Sequence, residues 1–379
     1  MIIKNANVWD DTSFSFVRGD IHIRHGVIDA IGDLSNMVDD CVIDAEGKPV
    51  VPGFIDVHTH GGAGHDFVGV SAEDLHQMAR FYASHGVTSV MPTLASAPLA
   101  EMEEAAVRMT AFAPAADEAD FCGVHLEGRY LNPTKKGAHA PHLLAPLNAK
   151  ELDCEGFRRC RALHITAAYE LDTDGSFAEA AKKIGATMGL GHTAATYSEA
   201  KAAEERGISS YTHLFNTMPP LHHRDGGTVC AALEGDRYAE LICDGIHIAP
   251  EMVRLAARLK GREHLVLVSD SMEATGSCDG EYFIAGNPVV VKNGKALTPE
   301  GALAGSTLTL DVALRNLMKF TGMSLGDAVS CVTANPAKQV GVFDRIGSIA
   351  VGKQADLLIL SGEQDPQVET VILRGAIRA

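Results

Sequence analysis

Eight short apolar runs recur between residues 54 and 270, at 54–60, 87–94, 121–127, 164–170, 187–193, 209–215, 239–246 and 264–270. Between them lie stretches with apolar positions three or four apart, at 72–84, 99–112, 177–183, 198–206 and 250–260. Strand-length runs alternating with helical periodicity give a parallel sheet covered by helices, because a parallel crossover needs a dozen or more residues. Eight such units are the number that closes a (β/α)8 barrel, so the predicted fold class is α/β with a TIM-like barrel at its centre. Two further helices are predicted at 307–320 and 324–331.

The two ends of the chain read differently. Ile2-Ile3, Asp20 to Ile23, Val27-Ile28 and Cys41 to Asp44 are short β-branched segments punctuated by Gly26, Gly32 and Gly47. Strand character returns at 355–360 and 368–375. Chain termini commonly lie close together. The expected organisation is therefore a small β-sandwich built from 1–50 plus 346–379, with the barrel at 51–345; Pro52-Gly53 marks the boundary.

Composition excludes several classes. A net charge of −17 over 379 residues is wrong for a nucleic-acid partner, which demands a basic face. No apolar run approaches the roughly 20 residues of a membrane helix, and the start lacks the pattern of a secretory signal. Eight cysteines, at 41, 122, 154, 160, 230, 243, 278 and 331, form no Cys-x-x-Cys pair and read as buried reduced thiols rather than a disulfide framework or zinc knuckle. The expectation is a cytoplasmic protein that binds neither nucleic acid nor membrane.

Chemistry concentrates at the downstream ends of the apolar runs, where catalytic groups of a parallel barrel gather. His58, His60, Glu127, His192, His213 and Asp270 all sit there. Alternate residues of a strand share a side, so His58 and His60 project together. Four imidazoles and two carboxylates exceed one tetrahedral site and suit two divalent metals bridged by a carboxylate. Zinc heads the expectation, with iron, manganese and cobalt compatible with the same donors. His125 shares the side of Glu127 and reads as a supporting or substrate-contact residue rather than a ligand. His65, His222 and His223 read as loop histidines. A metal-bound hydroxide would serve as nucleophile, with Asp270 as general base and acid. The residues alone imply a metal-dependent hydrolase of an amide, a cyclic amide or an aminated ring.

The stretch Pro-Gly-Phe-Ile-Asp-x-His-x-His at 52–60, Thr-Ala-Asn-Pro-Ala-Lys at 333–338 and the segment 347–357 resemble the amidohydrolase superfamily. His125-Leu-Glu-Gly128, the 131–139 loop, Gly191-His-Thr193, Thr212 to Pro219, Asp244-Gly-Ile-His247 and Ser269-Asp270 narrow the resemblance to N-acetylglucosamine-6-phosphate deacetylases. That resemblance implies Glu127, His192 and His213 on the principal metal and Asp270 as acid/base. It places His139 at the acetyl carbonyl and Arg224 at the sugar phosphate. It adds substrate contacts at Ala138, Asn216, Thr217, Asp244, Gly245, Ile246, His247, Leu303, Ala304 and Gly305, and a homodimer with sites near the interface. The galacto epimer is the alternative substrate, and a cyclic amide the more distant one. Those more distant amidohydrolases place a lysine after a middle strand, where this chain has Glu127.

Two departures stand out. The family divides at the first strand, and His58-x-His60 puts this chain with the members that hold two metals. Arg129 stands where the family pattern has proline, and reads either as a solvated arginine or as an added contact to phosphate or to Glu127.

Overall fold

The structure is a computed structural model and describes residues 1–378. Its centre is a ring of parallel strands: Phe54–Thr59, Val87–Ala95, Asp120–Phe121 continued by Val124–Glu127, Leu163–Ala167, Thr187–Leu190, Ser210–Tyr211, Tyr238–Ile242 and Leu265–Val268. Each pairs in parallel with its sequence neighbour. Among the described residues no ladder joins the last strand to the first. Instead the Asp270 N–H donates to the His58 carbonyl at 2.9 Å, and the His60 N–H to the Ser271 carbonyl at 2.8 Å. The barrel is thus nearly closed, and its seam is stitched at the level of the candidate ligands. The predicted fold class is borne out.

The helices form for legible reasons. Ala72–Ser84 is capped by the Ser71 hydroxyl, which accepts from the Asp74 N–H, and buries Leu75, Met78, Ala79, Tyr82 and Ala83 along one stripe. Tyr197–Glu205 opens on a reciprocal capping box between Thr196 and Glu199. Helices Leu99–Ala111, Pro250–His264 and Leu310–Thr321 fall on three of the predicted stretches. The helix Gly227–Glu234 was not among those read from the sequence; it is apolar on most sides and lacks the polar face that reveals period.

The chain ends form one continuous sheet, joining Ile2–Asp10, Ser15–Arg24, Val27–Gly32, Val42–Asp44 and Pro49–Pro52 to Leu357–Leu360, Val368–Leu373 and Ala376–Ile377. Ile2–Asp10 pairs with Val42–Asp44 through its first half and with Pro49–Pro52 through its second. This forked sheet encloses its own core of Ile3, Val8, Ile21, Ile23, Ile28, Val50, Leu357 and Ile372.

Trp9, the sole tryptophan, is the joint between the two parts. It belongs to the N-terminal strand, yet its ring packs into the barrel's core, and its Nε1–H donates to the Gly326 carbonyl at 2.9 Å. Replacing it by alanine should cost about 3–5 kcal/mol from lost burial. Trp9→Phe keeps an aromatic ring, strands the carbonyl and should cost about 1–3 kcal/mol. Urea unfolding followed by circular dichroism checks the order; equal stability of wild type and both variants would refute the joint.

Candidate metal centre and substrate cavity

Glu127 ends the third barrel strand with its carboxylate buried among histidines. One oxygen, Oε1, lies 2.8 Å from His213 Nε2 and 3.1 Å from His192 Nε2. The other, Oε2, lies 2.9 Å from His60 Nε2 and 3.4 Å from His58 Nε2. Asp270 Oδ1 faces the second pair, 3.3 Å from His60 and 3.6 Å from His58. All six residues predicted as ligands therefore converge, and they divide into two groups that share Glu127.

Their backbones explain why the strands stop short of the predicted runs. His192, His213 and Asp270 have φ of +46°, +32° and +48°, as do Phe215 and Thr217 at +79° and +53°. Left-handed backbone ends a strand, so the chain leaves the sheet at Leu190, Tyr211 and Val268 and points the next polar side chains into the rim. Each such residue carries strain of roughly 1–3 kcal/mol, held by its surroundings. The Asn132 N–H donates to the His192 carbonyl at 3.0 Å, and the Ser306 N–H to the Asp270 carbonyl at 2.7 Å.

Two of the four imidazoles, His192 and His58, are oriented by partners on their far nitrogens, while Nδ1 of His60 and of His213 is buried without one. His192 Nδ1 lies 2.8 Å from the Lys135 carbonyl, so it carries the proton and frees Nε2. Gly137 lets this loop approach: a Cβ there would fall 2.9 Å from the His192 ring at φ of +55°. His58 Nδ1 lies 3.0 Å from Glu240 Oε2, which fixes the same tautomer. His58 Nε2 is buried with no hydrogen-bond partner and aimed at Glu127 and Asp270, so its lone pair becomes available there once a cation displaces the proton that these carboxylates favour. Such an orphaned donor atom beside two carboxylates fits a divalent cation. Burial opposes charge on Glu127, and the histidines around it, His58 foremost, outweigh burial and hold its carboxyl well below the usual range.

His139 is built differently. Its Nδ1 accepts from the Ser96 N–H at 3.3 Å, with the Ser96 hydroxyl at 2.8 Å, so Nε2 carries the proton and faces Glu127 Oε2 at 3.8 Å. Burial lowers its pKa to about 4, which keeps the ring a neutral N–H donor at the cavity wall. His247 is the opposite case. Burial opposes its charge, but its hydrogen bond to Asp244 at 2.6 Å and the charge of that carboxylate raise its pKa, favouring the cation.

The groups line a cavity of about 240 Å³ with Ala138, His139, Asn216, Thr217, His247, Leu303 and Gly305. Asp244, Gly245, Ile246 and Ala304 lie outside its wall: Asp244 spends its carboxylate on the Ile246 and His247 N–H groups and the His247 ring, while Ala304 is buried beneath, its N–H on the Ala296 carbonyl. The Asn216 amide donates to the His213 and Leu214 carbonyls and so shapes the loop. Arg224 is not in this chain's cavity. It sits on a separate, open concavity with Tyr197, His222, His223 and Glu234.

His125 supports rather than ligates, its nitrogens 3.2 and 2.8 Å from the hydroxyls of Thr93 and Thr166 below the metal groups. Arg129 answers neither reading of it. It is mostly buried, φ +64°, with its guanidinium paired to Glu151 at 3.3 Å and turned from the cavity.

Sequence reasoning missed three contributors. Glu240 had a signal, a lone carboxylate in the apolar run Tyr238–Ile242. Ile284 and Ala285 come from a hairpin, Gly280–Ile284 with Asn287–Lys292, extended by Lys295–Leu297, whose Asn293-Gly294 turn was a legible mark. Ser96, which sets the His139 tautomer, had none.

A sequence model of the amidohydrolase family matches residues 50–378. The chain is 35% identical over 343 residues to an N-acetylgalactosamine-6-phosphate deacetylase of Escherichia coli O157:H7, covering 90% of each protein. It is 35% identical over 339 residues to an N-acetylglucosamine-6-phosphate deacetylase of Bacillus subtilis (strain 168), covering 86% of this chain and 84% of that protein. Among solved structures it is similar to a variant N-acetyl-D-glucosamine-6-phosphate deacetylase of Mycobacterium smegmatis in complex with N-acetyl-D-glucosamine-6-phosphate. That match has a TM-score of 0.88 at 28% identity and covers 100% of this chain and 99% of the other.

The protonation pattern makes metal binding compete with protons. Burial opposes the charge on His60, but Asp270 and Glu127 raise its pKa to about 9, so in the metal-free protein a cation must displace a proton below that pH. Divalent-cation affinity should rise with pH between about 6.5 and 9. Over the same window the metal-free protein should lose stability, because a raised pKa stabilises fully only below the unfolded value. Calorimetric titration at three pH values reads the first and thermal melts the second; flat profiles would contradict the assignment.

Proposed function

This chain belongs to the amidohydrolase family, and on that premise we propose that it removes the acetyl group of N-acetylglucosamine 6-phosphate in a metal-dependent hydrolysis, giving glucosamine 6-phosphate and acetate. One observation carries the reading: the cavity presents amide-hydrolysing groups at one end and the favourably charged His247 in the same wall. Glu127, His192 and His213 would hold the principal ion, and His58 and His60 a second one sharing Glu127. Zinc suits these donors best, with iron, manganese or cobalt able to replace it. A bound ion supplies acidified water and polarises the amide carbonyl.

The residues do the rest. His139 donates its Nε2–H to the carbonyl oxygen and stabilises the negative charge that grows there. Asp270 removes one proton from the attacking water and delivers it to the amide nitrogen as the C–N bond breaks, so the amine leaves neutral; the water's second proton stays on the new carboxyl group and is lost when the acetic acid ionises to acetate. The contacts to the sugar are proposed at Ala138, Asn216, Thr217, Leu303 and Gly305.

The wall holds no lysine or arginine among the described residues. A phosphate dianion therefore needs a further cation besides His247, and Arg224 is the proposed source. Since it lies outside its own chain's cavity, we place it at the site of a second copy, in a homodimer. The planar guanidinium suits bidentate phosphate contact. The free, unpaired cysteines suit a reducing, cytoplasmic setting.

The relatives of equal identity differ in the epimer they name, so the assay should offer both 6-phosphates and measure acetate. The gluco substrate should be turned over faster; no acetate from either would overturn the function, and a galacto preference would reassign it. Asp270→Asn should lower kcat by about 10²–10⁴-fold with little change in KM. Mixing Asp270→Asn with Arg224→Ala chains should regenerate activity, because one site of the mixed dimer regains both groups. Absence of recovery would place Arg224 in its own chain's site or outside the chemistry.

A further inference from the structure

Glu240 is the one fully buried carboxylate that touches two of the candidate ligands from beneath. Its Oε2 accepts from His58 Nδ1 at 3.0 Å and from the His213 N–H at 3.2 Å, and its Oε1 accepts from Gln339 Nε2 at 2.6 Å. It stands on the seventh strand, outside the cavity wall, and among the described residues no arginine or lysine pairs with it. An isolated buried carboxylate is costly unless its hydrogen bonds and a compensating charge are supplied. Here the partners are an imidazole on the first strand, a backbone amide at the sixth and a glutamine at the end of Ala334–Gln339.

We propose that Glu240 is a positioning residue for the second metal ion, selecting the His58 tautomer whose Nε2 is free and fixing that atom against Glu127 and Asp270. The inference rests on the two-ion reading above. It goes beyond that reading by naming what separates the two ions: the ring of His192 is oriented by a neutral backbone carbonyl, that of His58 by a charged side chain. A carboxylate behind an imidazole raises its basicity as well as orienting it, and such partners typically change metal affinity 10- to 100-fold. The same carboxylate holds only the backbone of His213, whose Nε2 faces Glu127 from the left-handed turn after the sixth strand. The effect of Glu240 should therefore fall on one ion and spare the other. Gln339 gains a purpose in this arrangement: it saturates the oxygen of Glu240 that no metal-site residue uses.

Glu240→Gln keeps the shape. With the Gln339 amide flipped, the new side chain still accepts from His58 and from the His213 N–H and donates to Gln339 Oε1, and the one group that loses its acceptor is the Gln339 Nε2–H, remote from the ligands. Wild type and variant should be stripped with chelator, reloaded by equilibrium dialysis against zinc, and counted by elemental analysis. The variant should bind its weaker ion about 10- to 100-fold less tightly, keep the affinity of its tighter ion, and melt in metal-free form close to wild type. Two ions bound with unchanged affinities would overturn the inference alone. Equal loss of both ions would also overturn it, because Glu240 would then be holding the site as a whole. Wild type saturating at one ion would overturn the two-ion reading and the inference with it. If the variant does not fold, nitrogen-15 NMR of histidine-labelled wild type decides: a proton on His58 Nδ1 in the zinc-loaded protein supports the inference, and a proton on Nε2 refutes it.

Discussion

One carboxylate, Glu127, has to be made tolerable inside the rim of a barrel, and much of the architecture follows from that. Four imidazole Nε2 atoms lie within 3.4 Å of its two oxygens. A lone buried carboxylate would cost several kcal/mol, so the cluster requires positive charge, from protons or from a cation. The two oxygens point to different histidine pairs, which makes the bridge an attribute of the strand's register and not of a flexible side chain. The stitching of the first and eighth strands falls at the same height, through His58, His60, Asp270 and Ser271. Barrel closure and ligand placement are one set of hydrogen bonds.

The strain needed to aim those ligands is distributed. His192, His213 and Asp270 each take a left-handed backbone that their side chains disfavour. What holds them is a ring of loop contacts: Asn132 on His192, Glu240 and Leu214 around the sixth strand, Ser306 on Asp270. Ser306 also bonds the Ser269 carbonyl, so the loop that brings Leu303 and Gly305 to the cavity is the same loop that restrains Asp270. The position of one cavity wall and the backbone of Asp270 are therefore coupled.

Much of this was legible because the relevant periods are strong. Strands buried on both faces read as continuous apolar runs, and His-x-His at the end of one of them shows its chemistry in three residues. The overshoot of the predicted strands at 164–170 and 209–215 has the opposite cause: apolar character continues past Ala167 and Tyr211 while the backbone has already turned, and side-chain pattern carries no record of φ. The hairpin at 280–297 went unassigned although its strands alternate buried and exposed residues, because it lies past the last βα unit, where the barrel's repeat no longer points to a strand. Glu240 escaped for a subtler reason. A single charge in an apolar run marks a buried polar network but does not say which partner it meets across the barrel. Arg224 was assigned its role by resemblance, and its placement in a concavity apart from the cavity leaves no mark in the residue pattern.

The chain carries a net charge of −17, and its cavity wall holds no lysine or arginine among the described residues, so any positive charge of that wall rests on histidines, whose ionisation is set one at a time. His139 is kept neutral by burial and by Ser96, so it can donate without carrying a charge that would compete with a cation at Glu127. His247, a few loops away, is given the opposite state by Asp244. What differs from one histidine to the next is the group on the far nitrogen: the Lys135 carbonyl behind His192, Ser96 behind His139, Asp244 behind His247 and Glu240 behind His58. Three of those four partners are side chains, and none of the three lies in the cavity wall. The state of the rings is therefore set from behind, by residues outside the cavity itself.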